Sequence, residues 1–391
     1  MAVFEIASCA CCLGKCFCAD GKMSTKGANV VYLFILVVMT LIAFVLQTYG
    51  APEFNFYSFN VGCGDIPGID VAACKGENAV YRISIGMAIW FVIMALANLC
   101  SHRCHTGLWG IKIMSLVTLV TGFFFIPIAG QYDYVKVARV ISAAFLVSQI
   151  VAFIDAAYHW NAYFVDKAFG NQEDRRWTTA ILSICFVIVA AIVVSIAIMY
   201  VNYSYCTRQA VFITVTAVLI LASTLLQLNS HETDSSLLTS CIVGTYSVYL
   251  GWSAVSSDKC NPGVRTDEQL AVASVVSACS LAWTCYSAGM REWTSKDSRK
   301  LLNASEVLEE PEEEPSEEEP EEPSEEPSMI WFHMVMATGS VYMSMLLTNW
   351  GTVSGHKSDA QMWVSIASQW ISMSLYVWTL VAPRFCPSRE F

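Results

Sequence analysis

Long apolar runs separated by short polar segments dominate this chain of 391 residues. A helix that crosses the hydrocarbon core of a bilayer needs about 20 mostly apolar residues, and ten runs come close to or exceed that length. Because lipid-exposed backbone groups must be hydrogen-bonded within their own segment, we expect each run to be an α-helix. The runs are 29–49, 79–99, 109–129, 134–168, 177–200, 208–228, 237–256, 267–288, 329–349 and 360–382.

Composition agrees with this membrane prediction and locates most of the net charge in one tract. The chain is 55% hydrophobic and 14% charged, whereas soluble domains are about a quarter charged. Its net charge of −11 comes largely from the twelve glutamates between Glu309 and Glu326. The prolines and like charges of this tract predict an extended, disordered cytosolic loop. A sorting or partner motif within the tract is the alternative.

These features divide the chain into four segments. We predict a cysteine-rich cytosolic tail over 1–28, eight transmembrane helices over 29–288, the acidic cytosolic loop over 289–328, and two further helices with a short cytosolic tail over 329–391. An even number of spans places both termini on one side. Lysine and arginine are more numerous on that side, which the positive-inside rule assigns to the cytosol. The expected location is the plasma membrane or an endomembrane.

The predicted outer loops contain the residue types expected of an oxidising, glycosylating compartment. Asn202 begins a glycosylation acceptor, Asn-Tyr-Ser. The cysteines of these loops are Cys63, Cys74, Cys206 and Cys260, an even number. Pairing Cys63 with Cys74 closes a short loop and is favoured. Pairing Cys206 with Cys260 is a weaker inference, and four unpaired thiols are the alternative.

The long fourth run is interrupted by polar residues on one side. Ser148, Ala152, Asp155, His159 and Asp166 follow one another at helical spacing, so they share a face of the helix. A carboxylate that faces bare acyl chains is costly, so this face should meet protein, water or lipid headgroups. One interpretation is that Asp155 and His159 bond each other or a neighbouring helix. The other is that they line a groove through which a headgroup passes.

A second row of polar residues lies on the eighth run. Ser274, Ser277, Ser280, Thr284 and Ser287 fall on one face. Small hydroxylated residues commonly mediate close packing of membrane helices, which is the alternative to a hydrophilic lane for a headgroup. Together with Ser148, Asp155 and His159, these five residues are the lipid-groove candidates.

Other motifs limit the chemistry. Juxtamembrane cysteines are typical palmitoylation sites, and five precede the first run: Cys9, Cys11, Cys12, Cys16 and Cys18. The spacing of paired metal-binding cysteines is missing, so we expect no metal. The sequence also lacks G-x-x-x-x-G-K-[ST], H-E-x-x-H and G-x-S-x-G. We therefore expect neither an enzyme nor a cofactor.

Several stretches resemble the serine incorporator family along the whole chain. They are ENAVYRIS (77–84), SLLTSCIVGTYSVYLGWSA (236–254), CNP (260–262), SVYMSMLLTNW (340–350) and SQWISMSLYVWTLVAP (368–383). The residues that match the family are Asp155, Trp160, Asn161, Cys206, Trp252, Cys260, Asn349 and Trp350. One departure concerns the histidine that this family usually has three residues after the aspartate. Here Tyr158 holds that position and His159 follows it.

The resemblance implies an all-α polytopic membrane protein with ten transmembrane helices in two bundles, crossed by the long fourth and eighth helices. It implies passive, ATP-independent phospholipid scrambling. The alternative is an accessory carrier that promotes serine incorporation into phosphatidylserine and sphingolipids. A lipid-transferring enzyme and a purely structural membrane protein are weaker alternatives. The expected partners are membrane phospholipids, with a sterol, serine, lipid-synthesising enzymes and a second copy of the chain as further candidates, and no nucleic acid.

Overall fold

The computed structural model describes residues 23–50, 71–100, 103–126, 131–169, 175–229, 237–260, 280–285, 287, 329–348, 350 and 359–385. Within these ranges all regular structure is helical, which confirms the all-α prediction. The helices are α1 (Thr25–Val45, followed by a π-turn Leu46–Gly50), α2 (Val71–Cys100), α3 (Arg103–Thr106), α4 (Trp109–Phe125), α5 (Gln131–Phe169), α6 (Arg175–Tyr203), α7 (Thr207–Leu228), α8 (Leu237–Ser257), α9 (Ile330–Leu347) and α10 (Asp359–Phe385).

The described helices correspond closely, but not one for one, to the predicted spans. Seven of them, α1, α2, α5, α6, α7, α9 and α10, are long and apolar enough to cross a membrane. α4 is a shorter apolar helix, and α3 has only four residues. The eighth predicted span, 267–288, lies within the described ranges only at 280–285 and 287. The count of ten spans therefore stays a prediction.

One compact unit comprises Met1–Tyr134 and Ala278–Ser344. Its centre is Tyr32 of α1, a fully buried side chain whose ring lies 5.9 Å from that of Trp90 and 4.9 Å from that of Trp109. Gly86 lets α2 approach α4, since a Cβ there would lie 2.9 Å from Val120 Cγ2. Ring packing and this close helix contact hold α1, α2 and α4 together.

A buried arginine marks the end of α4 in the same unit. Arg82 of α2 donates from Nη1 to the carbonyl oxygens of Phe123 and Ile126, at 2.5 and 2.6 Å. The last carbonyls of a helix lack intrahelical partners and carry partial negative charge. The guanidinium therefore satisfies groups that the surrounding apolar side chains leave without water, and this is why a charged residue is tolerated inside α2.

The second compact unit comprises Val135–Ser277 and Met345–Phe391. α8 is its central helix, because almost every residue from Leu238 to Ser257 is buried and α6, α7 and α10 all pack on it. Its core is a continuous apolar cluster that includes Ile154 of α5, Ile192 of α6, Ile213 of α7 and Ile366 of α10. Polar side chains buried beside this core include Gln369 and Tyr376 of α10, which form hydrogen bonds with α7 and α8.

At one end of the second unit, a disulfide and an ion pair join the start of α7 to the end of α8. The structure joins Cys206, the residue before α7, to Cys260, just after α8, in a disulfide with the Cα atoms 6.4 Å apart. Arg208, in the first turn of α7, forms an ion pair with the buried carboxylate of Asp258, the residue that follows α8. Cys74 is also disulfide-bonded, whereas Cys63, its predicted partner, lies outside the described residues.

The fourth predicted span is the longest described helix. α5 has 39 residues, which at 1.5 Å per residue is about 58 Å of helix. The hydrocarbon core of a bilayer is only about 30 Å thick. α5 must therefore tilt strongly or project beyond the hydrocarbon, as the length of the apolar run predicts.

Candidate lipid-facing site

α5 has two faces of opposite character within the second unit. One face contributes Ile150, Ile154 and Ala157 to the apolar core. On the other, Ser148, Asp155, His159 and Asp166 are all exposed. Taking 100° per residue, these four residues lie within about 40° of one another and roughly opposite the buried face. We call these four residues the α5 polar stripe.

The stripe is an exposed feature of the folded unit. Ala152, the apolar residue included in the predicted stripe, is buried at its edge. The Ser148 hydroxyl donates to the Ala144 carbonyl oxygen at 3.3 Å, within its own helix. The carboxylates of Asp155 and Asp166 and the imidazole of His159 give the outward face its ionisable character. Sequence spacing alone predicts that these groups share a face, and the structure adds that the face points away from the core.

Aromatic residues flank the ionisable end of the stripe. Trp160 and Tyr163 are about half exposed, and the ammonium of Lys167 lies 5.9 Å from the Tyr163 ring centroid. Tryptophan, tyrosine and lysine together are typical of the region where headgroups meet acyl chains. The Asp155–Lys167 part of α5 thus has the composition of an interfacial surface.

Tyr158 occupies the position at which the family resemblance predicts a histidine. The Tyr158 hydroxyl lies 2.8 Å from Thr379 Oγ1 of α10, so this side chain joins α5 to its neighbour. His159, one residue later, is turned by about 100° and is exposed. The position that resembles the family histidine is therefore a packing position in this chain, which sequence reasoning alone missed.

The hydroxyl row of the predicted eighth span is described only in part. Ser274 and Ser277 lie outside the described residues. Thr284 Oγ1 donates to the Ser280 carbonyl oxygen at 2.9 Å, and Ser287 Oγ donates to that of Thr284 at 3.0 Å. Thr284 is buried, and Ser280 and Ser287 are half-buried. The hydroxyls of Thr284 and Ser287 are thus bonded within their own segment of the first unit.

A buried polar seam crosses the second unit between α7, α8 and α10. Gln369 Nε2 donates to Thr216 Oγ1 at 2.8 Å and to the Ser247 carbonyl oxygen at 3.1 Å. Two turns further along α10, the Tyr376 hydroxyl lies 2.6 Å from Ser240 Oγ and donates to Gln227 Oε1 at 3.2 Å. Buried polar groups that bond one another fix the register of neighbouring helices.

A cluster of basic groups is buried in the first unit. His105 Nδ1 lies 3.1 Å from His333 Nε2, and the ammonium of Lys112 donates to the His105 carbonyl oxygen at 2.9 Å. The same ammonium lies 4.6 Å from the Trp109 ring centroid. A carbonyl dipole and an aromatic face compensate a buried cation in part. Sequence reasoning missed this cluster because its members come from α3, α4 and α9.

Long apolar helices with buried polar contacts and an outward polar stripe define a polytopic α-helical membrane protein. Residues 2–389 match the family model described as Serine incorporator (Serinc). The chain is 26% identical to Serine incorporator 3 of Bos taurus over 473 residues, covering 100% of this chain and 99% of that protein. It is 26% identical to Serine incorporator 2 of Homo sapiens over 452 residues, covering 99% of this chain and 98% of that protein. The chain therefore belongs to the serine incorporator family.

Proposed function

We propose that this protein is a passive phospholipid scramblase whose headgroup path follows the α5 polar stripe. The observation that supports the proposal most directly is the exposure of Asp155 and His159 on the face of α5 opposite its buried face. Ionisable residues in a membrane helix normally face a bundle interior or a hydrated cavity. A pair that faces outward, on a helix of membrane-spanning length, is suited to meet headgroups.

The physical reason is the barrier to headgroup transfer. A phospholipid changes leaflet slowly because its polar headgroup must enter hydrocarbon, where each unbonded polar group costs several kcal/mol. A stripe with a hydroxyl, an imidazole and two carboxylates offers bonds to the headgroup and its water along several helical turns. The acyl chains remain in the bilayer throughout, so the transfer needs no nucleotide.

The family resemblance supports a fuller architecture. We infer ten spans, with 267–288 as the eighth, in two bundles crossed by the fourth and eighth helices. Both termini would then face the cytosol. The great length of α5 supports its role as one of the two crossing helices.

The test is reconstitution into liposomes that carry a fluorescent phospholipid in both leaflets. A membrane-impermeant quencher removes only the outer signal, so scrambling appears as loss of the protected half. With the wild-type protein in the vesicles, we expect the quencher to remove most of the protected signal as well, because scrambling brings the labelled lipid to the outer leaflet. Asp155→Asn combined with His159→Gln should slow this loss because the path loses its ionisable groups.

The matched control is Asp133→Asn, which makes the same change in the first turn of the same helix, about 33 Å from Asp155. We expect wild-type rates for it. Wild-type protein that scrambles no faster than empty vesicles would refute the proposed function. Equal loss of scrambling rate in the control and the double variant would show that the headgroup path does not depend on the α5 polar stripe.

The relatives are named serine incorporators, which favours a second candidate function. We infer this function as an accessory role in incorporating serine into lipids. This role predicts saturable binding of free serine by the purified protein. Isothermal titration with L-serine, with D-serine as the matched ligand, distinguishes the two functions. Binding of L-serine without scrambling would favour the accessory role.

A further inference from the structure

Two free thiols lie against each other inside the second unit. Among the described residues, Cys185, Cys241 and Cys285 are free cysteines, and all three are buried. The Cys241 Sγ of α8 donates to the Cys185 carbonyl oxygen of α6, with the two atoms 3.8 Å apart. The two side chains also belong to one small buried cluster. Cys285 belongs to the first unit and serves below as the comparison.

A glycine brings the two helices close enough for this contact. Gly244 lies one turn after Cys241, and a Cβ at that position would be only 3.2 Å from Ile192 Cδ1 of α6. Ile192 in turn lies two turns after Cys185. The close approach of α6 and α8 is therefore built into their sequences, and the thiol pair is part of that contact.

The surroundings of the thiol pair are apolar and close to the lipid. Cys185, Leu238 and Cys241 form a small buried cluster against Phe164, Ile181 and Ile242, among others. On the same helix, Leu182 and Phe186 are largely exposed. Since α6 is the least buried of the seven long apolar helices, acyl chains lie about one side-chain layer from the sulfur atoms.

This environment selects one kind of thiol chemistry. Nucleophilic reactions of cysteine require the thiolate, which an apolar surrounding disfavours. Transfer of a hydrogen atom creates no charge, so hydrocarbon does not penalise it in the same way. The radicals that arise in oxidised acyl chains, lipid peroxyl radicals, accept hydrogen atoms and form in the adjacent phase.

We propose that Cys185 and Cys241 form a hydrogen-atom-donating dithiol that reduces lipid peroxyl radicals and is converted to a disulfide between α6 and α8. Each of two peroxyl radicals takes one hydrogen atom, with its electron, from one thiol and becomes a lipid hydroperoxide. Two S–H bonds break and two O–H bonds form. The two sulfur radicals then join in one S–S bond. The reaction consumes no other reductant, and a thiol reductant restores the pair.

The experiment uses the full chain with a protease site inserted between Ser204 and Tyr205. Cleavage there separates Cys185 from Cys241 and leaves the Cys206–Cys260 disulfide within one fragment. The protein is placed in vesicles of polyunsaturated phosphatidylcholine and treated with a lipid-soluble azo initiator. We expect the fragments to remain linked on a denaturing gel until reductant is added. Peptide mapping of uncleaved wild-type protein should show Cys185 and Cys241 peptides joined with loss of two hydrogen atoms.

Matched variants and a second oxidant make the test specific. Cys241→Ala should abolish the linked band, whereas Cys285→Ala should keep it, because Cys285 is an equally buried thiol outside this pair. Diamide, an oxidant that acts on thiolates, should produce far less of the linked band. Accumulation of lipid hydroperoxide without the linked peptides would overturn the proposal. So would a band that persists in Cys241→Ala or forms equally with diamide.

Discussion

Tyr376 is the residue on which the buried polar seam of the second unit most depends. Its single hydroxyl connects Ser240 of α8 with Gln227 of α7, and its side chain is fully buried in α10. A buried polar group that loses its partner costs more than the hydrogen bond itself contributed, because water cannot replace the partner. One oxygen atom therefore stabilises the contact of three helices.

The phenylalanine variant tests this role. Tyr376→Phe keeps the ring but removes a partner from both Ser240 and Gln227, so we expect a loss of about 1–3 kcal/mol of stability. The loss should appear as a lower midpoint of thermal unfolding in detergent. Tyr163→Phe makes the same change on the exposed face of α5 and should leave the midpoint unchanged. Equal midpoints for wild type and Tyr376→Phe would show that the seam contributes little.

At the level of helices, the periodicity and length of the apolar runs predict well which segments are helical, and predict less well where each helix begins and ends. α2 begins at Val71, eight residues before the predicted span 79–99. Lys75 and Glu77 read as loop residues in the sequence, yet the fold buries both within the helix. From the sequence, Lys112 is likewise predicted to lie at the membrane interface. No pattern in one sequence shows that its ammonium will contact the Trp109 ring and donate to the His105 carbonyl oxygen. Contacts made between distant elements are the part that sequence reasoning could not supply.

The candidate site was also predicted from the sequence only in part. Spacing along the fourth run was enough to predict that Ser148, Asp155 and His159 share a face. Spacing does not show which face of α5 is buried, since that depends on Ile150 and Ile154 joining a core with residues of four other helices, α6, α7, α8 and α10. The role of Tyr158 also depends on Thr379, more than two hundred residues later.

Two glycines of the first unit allow a test of how closely α2 packs against α4. Gly86→Ala would place a Cβ 2.9 Å from Val120 Cγ2 and 3.1 Å from Val120 Cα. We expect it to force α2 and α4 apart and to cost about 1–3 kcal/mol, as overpacking does. Gly122→Ala on α4 meets nothing within 4 Å and should be neutral or stabilise by up to about 1 kcal/mol through helix propensity.

Thermal unfolding in one detergent compares the two variants directly. The two substitutions add the same methyl group to the same pair of helices, so a difference between them reports the α2–α4 contact. A Gly86→Ala midpoint at or above that of Gly122→Ala would contradict the proposed close packing.

For the molecule as a whole, orientation in the membrane is a prediction of the sequence that a glycan can report. Asn202 lies exposed at the end of α6, in a predicted outer loop. The chain contains a second acceptor triplet, Asn303-Ala-Ser305, in the predicted cytosolic loop. Because glycosyl transfer occurs only on the outer, lumenal side, the two acceptors report opposite sides of the membrane.

We expect the protein expressed in eukaryotic cells to carry a glycan on Asn202 and none on Asn303. Treatment with an amide-cleaving glycosidase should increase its electrophoretic mobility, and Asn202→Gln should have the same mobility without treatment. Asn303→Gln is the matched control and should migrate like the wild type. A glycan found on Asn303 would reverse the predicted orientation.

The length of α5 couples this protein to the thickness of its membrane. A rod of about 58 Å inside a slab of about 30 Å can lie wholly within it only when inclined by about 60° from the normal. A lipid mixture with longer chains lets the rod stand more upright and shifts Asp155 and His159 deeper, away from the headgroups. The same polypeptide should therefore work faster in thin, short-chain bilayers than in thick, sterol-rich ones, so that the host membrane sets its rate.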